Sequence, residues 1–213
     1  MNDQTTQIII TRHGETQWNT AAIHQGQLDS TLTPLGISQA TALAAALTGV
    51  NCAALYASDL GRTMHTAKII AAAVQLEIIP EAGLREINYG ILQGKTLAEF
   101  ASMYPEHYAA HLRRDPEFAL PGAESYRQFY ERTIQCFNQL AAKHPGQTIL
   151  VVTHGGNLGC LFRAAFELPL TSPRQFSLRN VSYNRFTVTD GRWRLETWGD
   201  ISHLQRLQAQ DEL

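Results

Sequence analysis

Cysteine is scarce in this sequence. Cys52, Cys136 and Cys160 are all there are, and an odd number without Cys-x-x-Cys spacing fits reduced, partly buried thiols, not a disulfide framework or a zinc site. Long apolar runs are missing too: nothing approaches the roughly 18 apolar residues of a membrane span. The opening stretch MNDQTTQIII has no basic region ahead of its three isoleucines, so a cytoplasmic chain without membrane contact is expected. Neither sign of charge is in excess. With 17 Lys and Arg against 19 Asp and Glu the net charge is -2, and no overall positive field draws the protein onto nucleic acid. A small anionic ligand would need a local basic pocket.

Several catalytic patterns are absent as well. His107 and His111 lie four residues apart without an HExxH pattern or a carboxylate companion, so a solvated helix face is expected there and no metal. The stretch GILQGKT has three residues between Gly90 and Gly94, one too few for a Walker A loop. A cysteine phosphatase needs Cys, five residues, then Arg, whereas Cys160 and Arg163 have two residues between them. Internal repeats and low-complexity segments are also lacking.

What is present is a chain of 213 residues, 44% hydrophobic and 17% charged, enough for one sizeable core, so a single domain over 1–213 is expected. Ile8 to Ile10 form a β-branched run that stops at polar and glycine residues, the pattern of a strand buried on both faces. In TPLGISQATALAAALTGV, Thr33 is placed to cap a helix and Pro34 to occupy its first position. CAALYAS reads as a strand, DLGRTMHTAKIIAAAV as a helix opened by Asp59, and LEII as another short strand. From 96 to 122 the chain is less regular and reads as an excursion over the active-site face. ESYRQFYERTIQCFNQLAAKH is a long amphipathic helix, TILVVTHGG a second buried strand, and GNLGCLFRAAFEL a helix. SYNRFTVTDGRWRLETWG alternates around Asp190 and Gly191 as an antiparallel hairpin does. The alternation predicts an α/β three-layer sandwich: a mostly parallel central sheet, helices on both faces, and an antiparallel edge strand.

In open sheets of this kind ligands sit outside the carboxyl ends of the strands, so His13 and His154, each just past a buried strand, point to one region. Arg12 joins them, as does Arg62 at the start of a helix whose dipole also favours an anion. Arginine forks match phosphate oxygens and stay charged at any working pH. On an ordinary surface Arg62 could instead pair with Asp59, and Glu86 with Arg85.

The blocks TRHGETQWN, SDLGRTMHTA, LREINYG and VTHGG, followed by WGDISHL, resemble the histidine phosphatase superfamily, in its cofactor-dependent phosphoglycerate-mutase-like branch. The resemblance implies that His13 is a nucleophile phosphorylated on a ring nitrogen and that Glu86 is the general acid and base. It places Arg12, Arg62 and His154 around the phosphoryl oxygens, counting four cationic or potentially cationic side chains with His13. Asn19, Gln25 and Gly26 match further phosphate-pocket positions, and the Gly155 N–H is a candidate donor. No metal and no cofactor are implied, since the arginines supply positive charge.

Chemistry asks for the same parts. Imidazole attacks phosphorus only through an unprotonated nitrogen, which a hydrogen bond from the other nitrogen to a carbonyl would secure. An alkoxide leaving group needs a proton as its bond breaks. The compact excursion and THGGNLG favour a phosphatase of a small phosphomonoester, such as a sugar phosphate or a phosphoglycerate-like compound, over a mutase or a non-catalytic phospholigand-binding protein. Ile23, where many members carry a basic residue, and GILQG, in place of a Trp-Glu segment, bear on substrate. One of Arg113 and Arg114 is a candidate for the far end of an anionic substrate. Whether the chain forms a homodimer is left open.

Overall fold

The computed structural model describes residues 4–205; residues 1–3 of the MNDQTTQIII stretch and residues 206–213 lie outside the described residues. Along the chain run β1 (Thr6–Arg12), α1 (Gln17–Thr20), α2 (Pro34–Ala46), β2 (Ala54–Ala57), α3 (Gly61–Val74), β3 (Ile78–Pro80), α4 (Leu97–Met103), α5 (Pro105–Leu112), α6 (Tyr126–Lys143), β4 (Thr148–Thr153), α7 (Gly155–Ala165), β5 (Tyr183–Thr189) and β6 (Arg192–Asp200). The six strands form one sheet in the order β3-β2-β4-β1-β5-β6. The first four of that order are mutually parallel, and β5 and β6 are antiparallel. The antiparallel part is therefore two strands wide, because the tight Asp190-Gly191 turn, with φ of 50° and 73°, returns the chain at once.

Alternating side chains sort the core into two faces. Ile8, Ile10, Val151 and Phe186 pack with Phe137 and Leu140 of α6 and Leu158 and Leu161 of α7. Ile9, Leu55, Leu150 and Val152 pack with Leu43 of α2, its C-cap Leu47, and Ala67 and Ile70 of α3. The central strands are thus covered twice, which is why their sequences read as unbroken apolar runs. Pro80 lies in β3, an edge strand, where its missing N–H leaves no central ladder position unpaired.

Caps fix the helix starts. The Thr33 hydroxyl accepts from the Gly36 N–H, with Pro34 in the first turn, and Ser125 and Gln128 form a reciprocal capping box on α6. One expected cap is not formed. Asp59 does not open α3; Leu60 stands at that position without a side-chain bond, and the Gly61 and Arg62 N–H groups donate instead to the Asp29 carboxylate, 2.6 and 3.2 Å away. Asp59 is engaged elsewhere, in a two-pronged contact with Arg85. The excursion at 96–122 folds as α4 and α5 around its own apolar cluster of Phe100 and Leu120, packed against Leu92 and Tyr89.

Candidate active site

Strand register decides which side chains meet. Arg12 stands opposite Thr153 in the β1–β4 ladder, so both strands end together and His13 and His154 emerge side by side. The His13 N–H donates to the Thr153 carbonyl at 3.0 Å, and the two imidazoles meet edge to face with centroids 5.4 Å apart. Ser58, the residue after β2, closes the third side.

The protonation pattern follows from the partners. Nδ1 of His13 lies 2.8 Å from the Gly14 carbonyl; a carbonyl only accepts, so Nδ1 carries the proton and Nε2 keeps its lone pair. At His154 the roles reverse. Arg62 Nη2, which only donates, sits 3.1 Å from Nδ1, so Nδ1 accepts and Nε2–H donates to Ser58 Oγ at 2.9 Å. Burial first, then the charges of Arg12 and Arg62, holds His13 well below the usual imidazole range. Burial first, then Arg62, does the same to His154. Of the four cationic or potentially cationic side chains, the two arginines carry the charge, since desolvation and the neighbouring arginines oppose protonation of both imidazoles.

Arg62, 2% exposed, is held on nearly every edge. Nη1 donates to the Leu28 carbonyl at 2.6 Å and to Asp29 at 3.0 Å, and Nη2 donates to the Gly26 carbonyl at 2.7 Å as well as to His154. Gly26 has a φ of +54°, a backbone state that turns its carbonyl toward the guanidinium at little cost only for glycine. Arg12, half-buried, donates from Nη1 to the Leu178 carbonyl at 2.7 Å. The buried Nε–H of each arginine finds no acceptor among the described residues. A buried unpaired donor costs about 1–3 kcal/mol, and two of them beside an unprotonated imidazole nitrogen suit an anion.

Glu86 approaches from the α7 side. Its Oε1 accepts from the Ile87 N–H at 3.0 Å and its Oε2 from the Gly156 N–H at 3.1 Å. A Cβ at 156 would fall 2.1 Å from Glu86 Oε1 and 2.9 Å from the Phe129 ring, so a side chain there would displace the carboxylate. Neither simple ion pairing forms: Asp59 takes Arg85, and Arg62 takes Asp29. Asn19 closes a capping box with Thr16, its Oδ1 accepting from the Thr16 N–H at 3.2 Å. Gln25, 8% exposed, donates from Nε2 to Thr16 Oγ1 at 2.8 Å, while its buried Oε1 has no partner. Gly155 opens α7 next to Arg12. The structure thus gathers Arg12, His13, Arg62, Glu86, His154 and Gly155 at the strand ends, with Asn19 in α1 and Gln25 and Gly26 on the loop after it.

Arg113 and Arg114 sit exposed at the end of α5. A further cation, Arg174 from the connection between α7 and β5, reaches Arg12 and Tyr89 with its field. That connection carries no residue singled out from the sequence, although it also supplies Leu178 and Asn180; no local pattern marks them. Tyr89, half-buried near Glu86, has its phenol pushed up from the usual range by desolvation and so remains a protonated donor. The cysteines are free and buried, with Cys136 and Cys160 each pushed up to about 12 by burial, so none offers a thiolate.

A profile of the histidine phosphatase superfamily, branch 1, matches residues 8–201. The chain is 37% identical over 207 residues to the metal-independent phosphoserine phosphatase of Arabidopsis thaliana, covering 96% of this chain and 85% of that one. It is 34% identical to "Probable phosphoglycerate mutase GpmB" of Proteus mirabilis, over 97% of this chain and 98% of that protein. Among solved structures it resembles the mycobacterial glucosyl-3-phosphoglycerate phosphatase determined with VO3, with a TM-score of 0.79, 31% identity, and coverage of 91% and 98% of the two chains. The fold is that of the phosphoglycerate-mutase-like phosphatases. This chain is a member of the histidine phosphatase superfamily.

Proposed function

We propose that the protein hydrolyses a small phosphomonoester through a phosphohistidine formed on His13. The enzyme class, a phosphoric monoester hydrolase, follows from membership of the family and from its phosphatase-named relatives. The observation that carries the rest is the pairing of an unprotonated His13 Nε2 with two buried arginine Nε–H donors that lack partners.

Nε2 attacks phosphorus in line as the ester P–O bond breaks, forming the N–P bond. The Gly14 carbonyl holds Nδ1–H, so the cation developing on the ring is stabilised where it forms. Arg12 and Arg62 meet the charge on the equatorial oxygens, and they are already oriented by Leu178, Leu28, Gly26 and Asp29. Asn19 and the Gly155 N–H extend this donor set. Gln25 joins them with its carboxamide turned over: the Thr16 hydroxyl then donates to Oε1 and the amide nitrogen is released for the anion. Glu86, its two oxygens oriented by main-chain N–H groups, gives a proton to the departing alkoxide and in the second half takes one from the water that attacks phosphohistidine. His154 serves as a neutral bridge that orients Arg62.

The substrate class favoured is a small, anionic phosphate ester of the sugar phosphate or phosphoglycerate kind. His13→Ala should abolish turnover of an aryl phosphate, and mass spectrometry of quenched wild type should locate phosphate on His13; turnover persisting in the variant overturns the assignment. The likeness to a mutase-named relative favours one second reading, phosphoryl transfer between positions of phosphoglycerate. Supplying phosphoglycerate and measuring whether phosphate is released or moved separates the two.

A further inference from the structure

The connection between α7 and β5 behaves as a strap across the β1 end of the site. It makes four contacts there, all on residues of the phosphate pocket. The Leu178 carbonyl takes Arg12 Nη1 at 2.7 Å, and the Val181 N–H donates to the Arg12 carbonyl at 3.0 Å. The Asn180 carboxamide Nδ2 donates to the His13 main-chain carbonyl at 2.9 Å and to Asn19 Oδ1 at 3.3 Å.

We propose that Asn180 is a positioning residue for phosphoryl transfer, setting both the main chain of His13 and the orientation of the Asn19 carboxamide. The idea rests on the reading of His13 as the nucleophile. Asn19 Oδ1 accepts from the Thr16 N–H and from Asn180 together, so its amide nitrogen is left as the end that faces an incoming anion. Were Oδ1 released on the Asn180 side, the carboxamide could rotate and present a repelling oxygen. Fixing the His13 carbonyl also fixes the peptide leading into Gly14, whose own carbonyl holds the His13 ring proton. One carboxamide therefore governs the aim of a nucleophile and of a phosphate donor without touching substrate itself.

A built-in control exists. Asn184, 1% exposed, donates in the same way to the main-chain carbonyl of Ile10, at 3.1 Å, and to Ser182, on the same strand but away from the pocket. Removing it measures what such a clamp contributes to the fold alone. The experiment compares Asn180→Ala, Asn184→Ala, Asn19→Ala and the Asn19→Ala, Asn180→Ala pair, reading Tm, steady-state kinetics on an aryl phosphate, and the rapid-quench rate of phosphohistidine formation.

Asn180→Ala is expected to slow phosphohistidine formation by about tenfold, equivalent to about 1.4 kcal/mol in the barrier, with little change in Tm. Asn184→Ala lowers Tm with kcat/KM near wild type. Asn180→Ala should cost less in the Asn19→Ala background than alone, because part of its action runs through Asn19. Phosphohistidine formation at the wild-type rate in Asn180→Ala, or full additivity in the pair, overturns the proposal, and neither result needs Asn184→Ala to fold. If wild type itself forms no phosphohistidine on His13, the underlying reading fails instead.

Discussion

His13 and His154 occupy matching places, each the first residue past a central parallel strand, each buried and each neutral. They differ in which nitrogen holds the proton. A carbonyl faces Nδ1 of His13 and a guanidinium faces Nδ1 of His154, so on the proposed function the same ring serves as a nucleophile at one strand end and as a bridge at the other. Only His13 keeps a lone pair that no protein group uses. The lesson is that position in the fold brings a histidine to the site, while the polarity of its nearest partner assigns its work.

Four substitutions and one titration test that contrast. The largest effect is expected from His13→Gln, which should lose at least about 10⁴-fold in kcat, as removal of a nucleophile does. Next is Arg62→Lys: an ammonium cannot serve Gly26, Leu28, Asp29 and His154 at once, and kcat/KM should drop about 10³-fold with a lower Tm. His154→Gln offers an acceptor to Arg62 and a donor to Ser58, like the neutral ring, and should keep measurable turnover, down about 10²-fold. Equal losses for the two histidine variants would break the asymmetry. Ser58→Ala strands the buried His154 Nε2–H and should cost about 1–3 kcal/mol of stability, with a milder loss of rate.

The pH profile sharpens the same comparison. Since the folded protein holds both histidines below their ordinary value of about 6.5, the acid limb of kcat/KM should fall below that pH. For stability, the unfolded chain binds protons that the folded one refuses, so the contribution is complete above about 6.5 and is lost as pH falls toward the folded values. The slope reaches about 1.4 kcal/mol per pH unit for each histidine. Thermal melts between pH 7 and 5 should show it, and His154→Gln should flatten it; a Tm that rises on acidification contradicts neutral burial.

Much of this arrangement is legible in the sequence because it is written locally. The isoleucines of β1, the Thr33-Pro34 helix start and the Asp190-Gly191 turn each declare themselves within a few residues. So do His13 and His154, placed just past apolar runs. What escapes is whatever depends on partners far apart in the chain. Asp59 looks like the cap of α3 from its position, but the carboxylate that does this work is Asp29, thirty residues earlier. The protonation of the histidines depends on burial and on Arg62, neither of which a spacing can reveal. Arg174 and Asn180 lie in a connection without periodicity, and only folding brings them to Arg12 and Asn19.

Asp29 has a wider consequence. Its carboxylate receives two main-chain N–H groups at the start of α3 and the guanidinium of Arg62 in that same first turn, while Leu28 and Gly26 beside it receive the remaining arms of the arginine. Helix start and pocket loop are therefore one cooperative unit. Amide hydrogen exchange in residues 26–29 and 61–63 should open and close together, and an anion that docks in the pocket should slow exchange in both segments at once.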